Sequence, residues 1–154
     1  MSAVALIDAS LEQLGIESSS SPDPDTFGVF DKIEYITGFG FVACQTYTTA
    51  TVGWSKAKRK KGEVLLLGPK HRCGRPIVQL INAAANHWKH SAEWNPLEPT
   101  NQEKQTAEVI RSLGVNPSES YPIANMLHAI LTPDQNLFRN LVPYLIQWRD
   151  SLPK

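Results

Sequence analysis

The stretch Ile77 to Trp94, IVQLINAAANHWKHSAEW, sorts into two faces when wound as a helix at about 100° per residue. Ile77, Leu80, Ile81, Ala84, Trp88 and Ala92 fall on one side; Gln79, Asn82, Asn86, Lys89, His90 and Glu93 fall on the other. The apolar side requires a core to pack against. The polar side is unusual for a solvated face, because amides, a histidine and a carboxylate stand where Lys and Glu would be expected. Pro76 suits the first turn, where its missing N–H costs nothing, and Asn95-Pro96 ends the helix.

Residues 27–61 carry two conflicting signals. Their Tyr, Phe, Thr and Val content favours strands, and a β-hairpin pair is the alternative. The spacing favours a helix: Ile36, Phe39, Ala43, Tyr47, Ala50, Trp54 and Ala57 step by three or four and hold within an arc of ~80°. Seven such steps outweigh propensity and predict a long helix with that stripe turned inward and Glu34, Gln45, Thr49 and Lys56 opposite. Small residues between Gly38 and Gly53 would let another helix approach closely.

The remaining segments are shorter. Val4, Ile7, Leu11 and Leu14 predict an amphipathic helix from Ala3 to Ile16, followed by a polar loop over 17–24, with Asp25 available to cap the next element. Lys61-Gly62 should end the long helix, and 62–75 form a basic connector. Three further helices are expected: Asn101 to Leu113, capped by Thr100 or Asn101 and stopped by Gly114; Pro122 to Leu131, ending before Thr132-Pro133; and Leu137 to Leu152, kinked or split by Pro143. The expected fold is all-α: a single helical domain over 1–154, with two long helices (about 27–61 and 76–94) framing shorter packed ones.

A chain of 154 residues with 42% hydrophobic content can bury a sizeable core. Its 19% of charged residues is low beside the ~25% usual for a soluble domain, which leaves room for a covered interface. Net charge is zero, but Lys56, Lys58, Arg59, Lys60, Lys61, Lys70, Arg72 and Arg75 are opposed only by Glu63, a local charge of +7. Such a concentration can hold phosphates, although it also fits a solvated helix end. Cys44 and Cys73 make no disulfide framework and read as reduced thiols, hence a cytoplasmic protein. No signal peptide is evident at the N-terminus, and no run of 18 apolar residues exists to span a membrane.

Chemistry could be carried by Asn82, Asn86, His90 and Glu93, spaced 4, 4 and 3 along one face. The amides would fix hydrogen bonds to a phosphate or sugar, His90 would act as acid or base near neutral pH, and Glu93 would orient it. The structural alternative is a polar face bonded to a loop or another subunit. No cofactor pattern is present. A metal set from His71, Cys73, His87 and His90 lacks C-x-x-C or H-E-x-x-H spacing, and His87 falls toward the core side, so no metal is expected. No G-x-S-x-G and no phosphate-binding glycine loop occur, and neither Cys44 nor Cys73 sits in a nucleophile pattern. Trp88 and Trp94 fit helix packing better than base stacking.

A long helix, a basic connector and a second helix carrying Asn86-His87-Trp88-Lys89-His90 resemble the HEPN superfamily of helical-bundle proteins over roughly residues 27–94. The resemblance implies a metal-independent ribonuclease or RNA-binding protein of a toxin–antitoxin or antiphage type, acting as a dimer. It implies His90 as the acid–base group and Asn86 as its polar companion. Asn82, Glu93, Lys58, Arg59, Lys60, Lys61, Arg72 and Arg75 would then contact substrate. The family's R-x4–6-H motif is not matched: Ala83, Ala84 and Ala85 precede His90 at the motif's arginine positions, and no other histidine has an arginine there. The partners expected are RNA and a second copy or cognate protein. The alternative function is a non-catalytic interaction module using the polar face of the helix at 76–94.

Overall fold

A computed structural model describes residues 2–54, 60–95, 97–131 and 135–153, which hold seven α-helices and no named strand. They are α1 (Ala3–Ser20), α2 (Val29–Trp54), α3 (Lys61–Val64), α4 (Ile77–His90), α5 (Asn101–Arg111), α6 (Pro122–Ile130) and α7 (Val142–Asp150). The all-α expectation holds, and the long segment after Phe27 is helical despite its strand-like composition. No described helix is long and apolar enough to cross a membrane.

Helix α4 is the centre of the bundle. It packs against α2, α5, α6 and α7, and Ile77, Val78, Leu80, Ile81, Ala83, Ala84, Ala85 and His87 are all buried. Burial therefore extends further around α4 than one stripe, because neighbours cover most of its sides. Pro76 is one position earlier than expected: it is the N-cap, and its carbonyl accepts from Leu80 N at 3.2 Å. The α-helix ends at His90 rather than Trp94, and a 3-10 turn, Ser91–Glu93, leaves Ala92 exposed instead of in the core.

Helix α2 has the expected period but a different inward face. Thr37, Phe41, Cys44 and Thr48 are buried, with Gly38, Gly40 and Gln45. The predicted stripe lies about one residue, ~100°, around the helix: Phe39, Tyr47 and Ala50 are exposed, and Ile36 and Ala43 are half-buried. Close approach is the reason. A Cβ on Gly38 would stand 2.2 Å from the Trp88 indole nitrogen, and one on Gly40 would stand 2.2 Å from the Phe138 ring. Apart from Phe41, the inward face is rich in small residues because large rings from α4 and from the turn before α7 fill the space. Ala57 falls outside the described residues, as does Lys56.

Two carboxylates, Asp8 buried and Glu34 half-buried, tie distant segments by capping. Asp8 on α1 accepts from Phe138 N at 2.7 Å and Arg139 N at 3.0 Å, the start of a 3-10 turn, Phe138–Asn140. Glu34 on α2 accepts from Ile123 N at 2.9 Å and Ala124 N at 2.7 Å, the first turn of α6. Free N–H groups and the positive end of the helix dipole favour a carboxylate at both places.

The ends of elements follow sequence with corrections. Helix α1 runs to Ser20, taking in half of the expected 17–24 loop, because Ser19 and Ser20 hydroxyls donate to the carbonyls of Gly15 and Ile16. It stops where Ser21 precedes Pro22 and turns extended. Asp25 caps nothing with its side chain; it accepts from the Tyr121 hydroxyl. Within the connector, residues Lys61–Val64 form a short helix, and Gly74 at φ +84° closes a turn that brings His71 N to Arg75 O at 2.8 Å. Thr100 and Glu103 form a capping box on α5. Pro143 splits the last segment into the 3-10 turn and α7.

Candidate functional site

Gln45 of α2 lies against the polar row of α4. Its amide nitrogen donates to Asn82 Oδ1 at 2.9 Å and Asn86 Oδ1 at 2.8 Å, and its Oε1 accepts from Lys89 Nζ at 2.7 Å. Gln45 is buried, so this seam satisfies its amide where water cannot. The amides of the predicted row are thus engaged within the chain, by a residue the periodicity placed on the far side of α2. The signal was present: a lone glutamine in a long, mostly apolar helix, opposite amides spaced i and i+4. Gln79, further along the row, has its Oε1 buried without a hydrogen-bond partner among the described residues.

His90 is 45% exposed at its side chain, and its Nδ1 lies 3.3 Å from Glu93 Oε2. A cleft of about 370 Å³ brings Asn86, His90 and Glu93 together with Trp94 and the first turn of α5, Thr100, Gln102 and Glu103. Two carboxylates line it and, among the described residues, no arginine or lysine does. That arrangement can hold a neutral polar group, but a phosphodiester would meet like charge.

The basic residues separate into two groups. Lys60 and Lys61 are exposed at the start of α3. Lys89 lies near Lys61: burial, then the positive charge of Lys61, holds its ammonium pKa below the ordinary value. None of the three has an ion-pair partner among the described residues. Arg72 and Arg75 stand at the opposite end of α4, about 20 Å from His90 along 14 residues of helix. Arg72 is exposed, whereas Arg75 pairs with Glu108 of α5 at 2.6 Å. Lys58 and Arg59 lie outside the described residues.

Among the described residues no three His, Cys, Asp or Glu side chains converge as metal ligands would. His71 Nδ1 accepts from Cys73 N at 3.2 Å. His87 is buried, as its position on the helix predicts, and its ring meets Trp94 edge-on at 4.9 Å between centroids. Burial pushes its pKa down, so the ring is neutral at pH 7. On the far side of Trp94 a second cavity, of about 570 Å³, runs between the end of α4 and one face of α5. Sequence reasoning did not find it, because its walls come from three segments with no common motif.

Neither the family models, nor the curated proteins, nor the solved structures compared with this chain give a match.

Proposed function

We propose that the protein is a helical RNA-binding module that holds RNA without cleaving it. The carrying observation is that exposed Lys61 stands close enough to exposed Lys89, at the C-terminal end of α4, for its charge to act on that ammonium, with Lys60 beside it in sequence, and that none of the three has an ion-pair partner among the described residues. Cations crowded together and left uncompensated favour an anionic partner, and a phosphate backbone supplies the repeated charge. The adjoining Lys58 and Arg59 extend the same basic run in sequence. Binding is favoured over catalysis by the cleft beside His90. Its carboxylates oppose a phosphodiester, Asn86 is committed to Gln45, and among the described residues no guanidinium lines the cleft to stabilise transition-state charge. This reading retains the RNA contact implied by the HEPN resemblance and does without its acid–base step.

Binding of a fluorescent single-stranded RNA, measured as anisotropy against salt, tests the reading. Affinity should fall steeply from 50 to 200 mM salt, and Lys60→Glu with Lys61→Glu should weaken it at least tenfold at low salt. Salt-independent binding, or binding unchanged by the double variant, overturns it. Incubation with chelator and RNA, wild type beside His90→Ala, checks the other half: chelator-resistant cleavage lost in His90→Ala would restore the nuclease reading.

A second reading, an interaction module that self-associates, is favoured by one specific feature. Tyr35, Phe39 and Tyr47 on α2 are 61%, 53% and 37% exposed and share one face. Phe39 and Tyr47 flank Ala43 symmetrically, four residues either way. Two copies of α2 crossing antiparallel at Ala43 would set each Phe39 against the partner copy's Tyr47, an isologous contact. Sedimentation of wild type and Phe39→Asp would show a dimer lost in the variant, or a monomer that dismisses this reading.

A further inference from the structure

The cavity beyond Trp94 has the chemistry of a nucleotide site. Its volume, about 570 Å³, falls in the range of small-molecule pockets. One lining group is aromatic: the half-buried Trp94 indole, with the neutral His87 imidazole edge-on to it at 4.9 Å, offers a ring on which a flat heterocycle can stack. Asn95 stands beside them. Its Oδ1 accepts from Leu97 N at 3.0 Å, which leaves its amide N–H groups to bond the edge of a base.

The long wall is α5. Lys104, Ala107 and Arg111 share one face of that helix, spaced three and four, so the cavity extends about 10 Å from the first to the last. Ala107 keeps the middle of this face open, and Pro117 also lines the cavity. Lys104 and Arg111 have no ion-pair partner among the described residues. Glu103, which also lines the cleft beside His90, accepts from Thr100 N and is outnumbered on this wall by Lys104 and Arg111, whereas the cleft has two carboxylates and no described cation. Two free cations match a dianion better than a single carboxylate, and the arginine fork suits a phosphate.

We propose that this cavity binds a nucleoside monophosphate unit, with the base against Trp94 and His87 and the phosphate held by Arg111 and Lys104. The unit comes either as a free nucleotide or as an unpaired nucleotide of an RNA. The site lies apart from the Lys60–Lys61–Lys89 cluster and does not depend on it.

Calorimetric titration of the full chain with AMP, GMP, CMP and UMP is the test, with adenosine and inorganic phosphate as part-ligands. At least one monophosphate should bind saturably, and each part-ligand should bind at least tenfold more weakly. Arg111→Ala, an exposed residue whose loss leaves the core untouched, should weaken binding at least tenfold. Ala107→Leu, which fills the cavity but keeps both cations, should abolish it, with helix content by circular dichroism as the check on folding. Displacement of the nucleotide by a 5′-phosphorylated single-stranded RNA assigns the RNA source; failure to displace it assigns the free nucleotide. Absence of saturable binding of all four monophosphates to folded wild type at millimolar concentration overturns the proposal. So does binding that both variants leave intact.

Discussion

Gln45 donates to Asn86 at 2.8 Å, across the interface between α2 and α4. The same amide reaches Asn82 and accepts from Lys89, so four polar side chains are satisfied as one unit between apolar surfaces. Gln45 is buried and Asn82 and Asn86 are half-buried, so removal of one partner leaves amides unpaired where water reaches them poorly. Gln45→Ala should therefore cost about 1–3 kcal/mol of stability, with the seam's remaining groups contributing most of the loss. Urea unfolding of Gln45→Ala, Asn86→Ala and the double variant measures the coupling. The double variant should lose clearly less than the sum of the singles; additive losses would mean that the two side chains act independently.

Three glycines of α2 should respond oppositely to the same substitution. Alanine is the better helix former by about 1 kcal/mol. Gly53 has nothing within 4 Å of an added Cβ, so Gly53→Ala should stabilise the protein by roughly that amount or less. At Gly38 and Gly40 the new carbon would meet Trp88 and Phe138 rings at 2.2 Å. Overpacking of this kind costs about 1–3 kcal/mol, so both variants should melt earlier than wild type. Thermal unfolding followed by circular dichroism gives the order; a stabilised Gly38→Ala would mean that Trp88 is free to move aside.

Those glycines also explain what the sequence made legible. The period of three and four in residues 27–61 identified α2 as a helix against its strand-like composition, because the large apolar residues of the stripe obey it. The face was misassigned for the same reason. Large side chains drew the stripe, while the inward side of α2 is rich in small residues, Gly38, Gly40, Thr37 and Cys44, whose size is what tight packing selects. For α4 the polar row was recognised, but its partner was not: hydrogen bonding between Gln45 and Asn82 joins residues 37 apart, and no local spacing encodes that pairing. His90 and Glu93 were legible as a pair because they are neighbours on one turn. The cavity of Lys104 and Arg111 was not, since its chemistry exists only after α5 packs on α4.

The two cysteines should differ in reactivity. Cys44 is buried on α2, and burial, with the charge of Asp8 adding to it, pushes its thiol pKa up to about 12. The thiolate is the reactive form, so Cys44 should resist iodoacetamide in the native protein at pH 8. Cys73, in the connector, is only partly buried. Mass spectrometry should find one adduct per chain, at Cys73, under native conditions and two in urea. Native labelling of Cys44 at a comparable rate would show that the α1–α2 contact opens readily.

Glu34 predicts a pH effect of defined sign. Burial raises its carboxyl pKa above the ordinary 4.5, outweighing the backbone N–H groups of Ala124 and Ile123 that lower it. Between 4.5 and the raised value the folded state binds more protons than the unfolded chain, so stability falls as pH rises through that window. The contribution is full below 4.5 and lost above the folded pKa. Glu34→Gln keeps an oxygen acceptor for the first turn of α6 and cannot ionise. Its stability relative to wild type should therefore rise as pH increases from 4.5, whatever the cost of losing the second acceptor oxygen. Titration of His87, whose depressed pKa instead removes stability as pH falls below 6.5, is common to both proteins and cancels in the difference. Urea midpoints of the pair at half-unit steps from pH 4 to 7 give the curve. A difference independent of pH would mean that the Glu34 carboxylate is as well accommodated at the α6 terminus as it is in water, and that the two backbone donors compensate its burial in full.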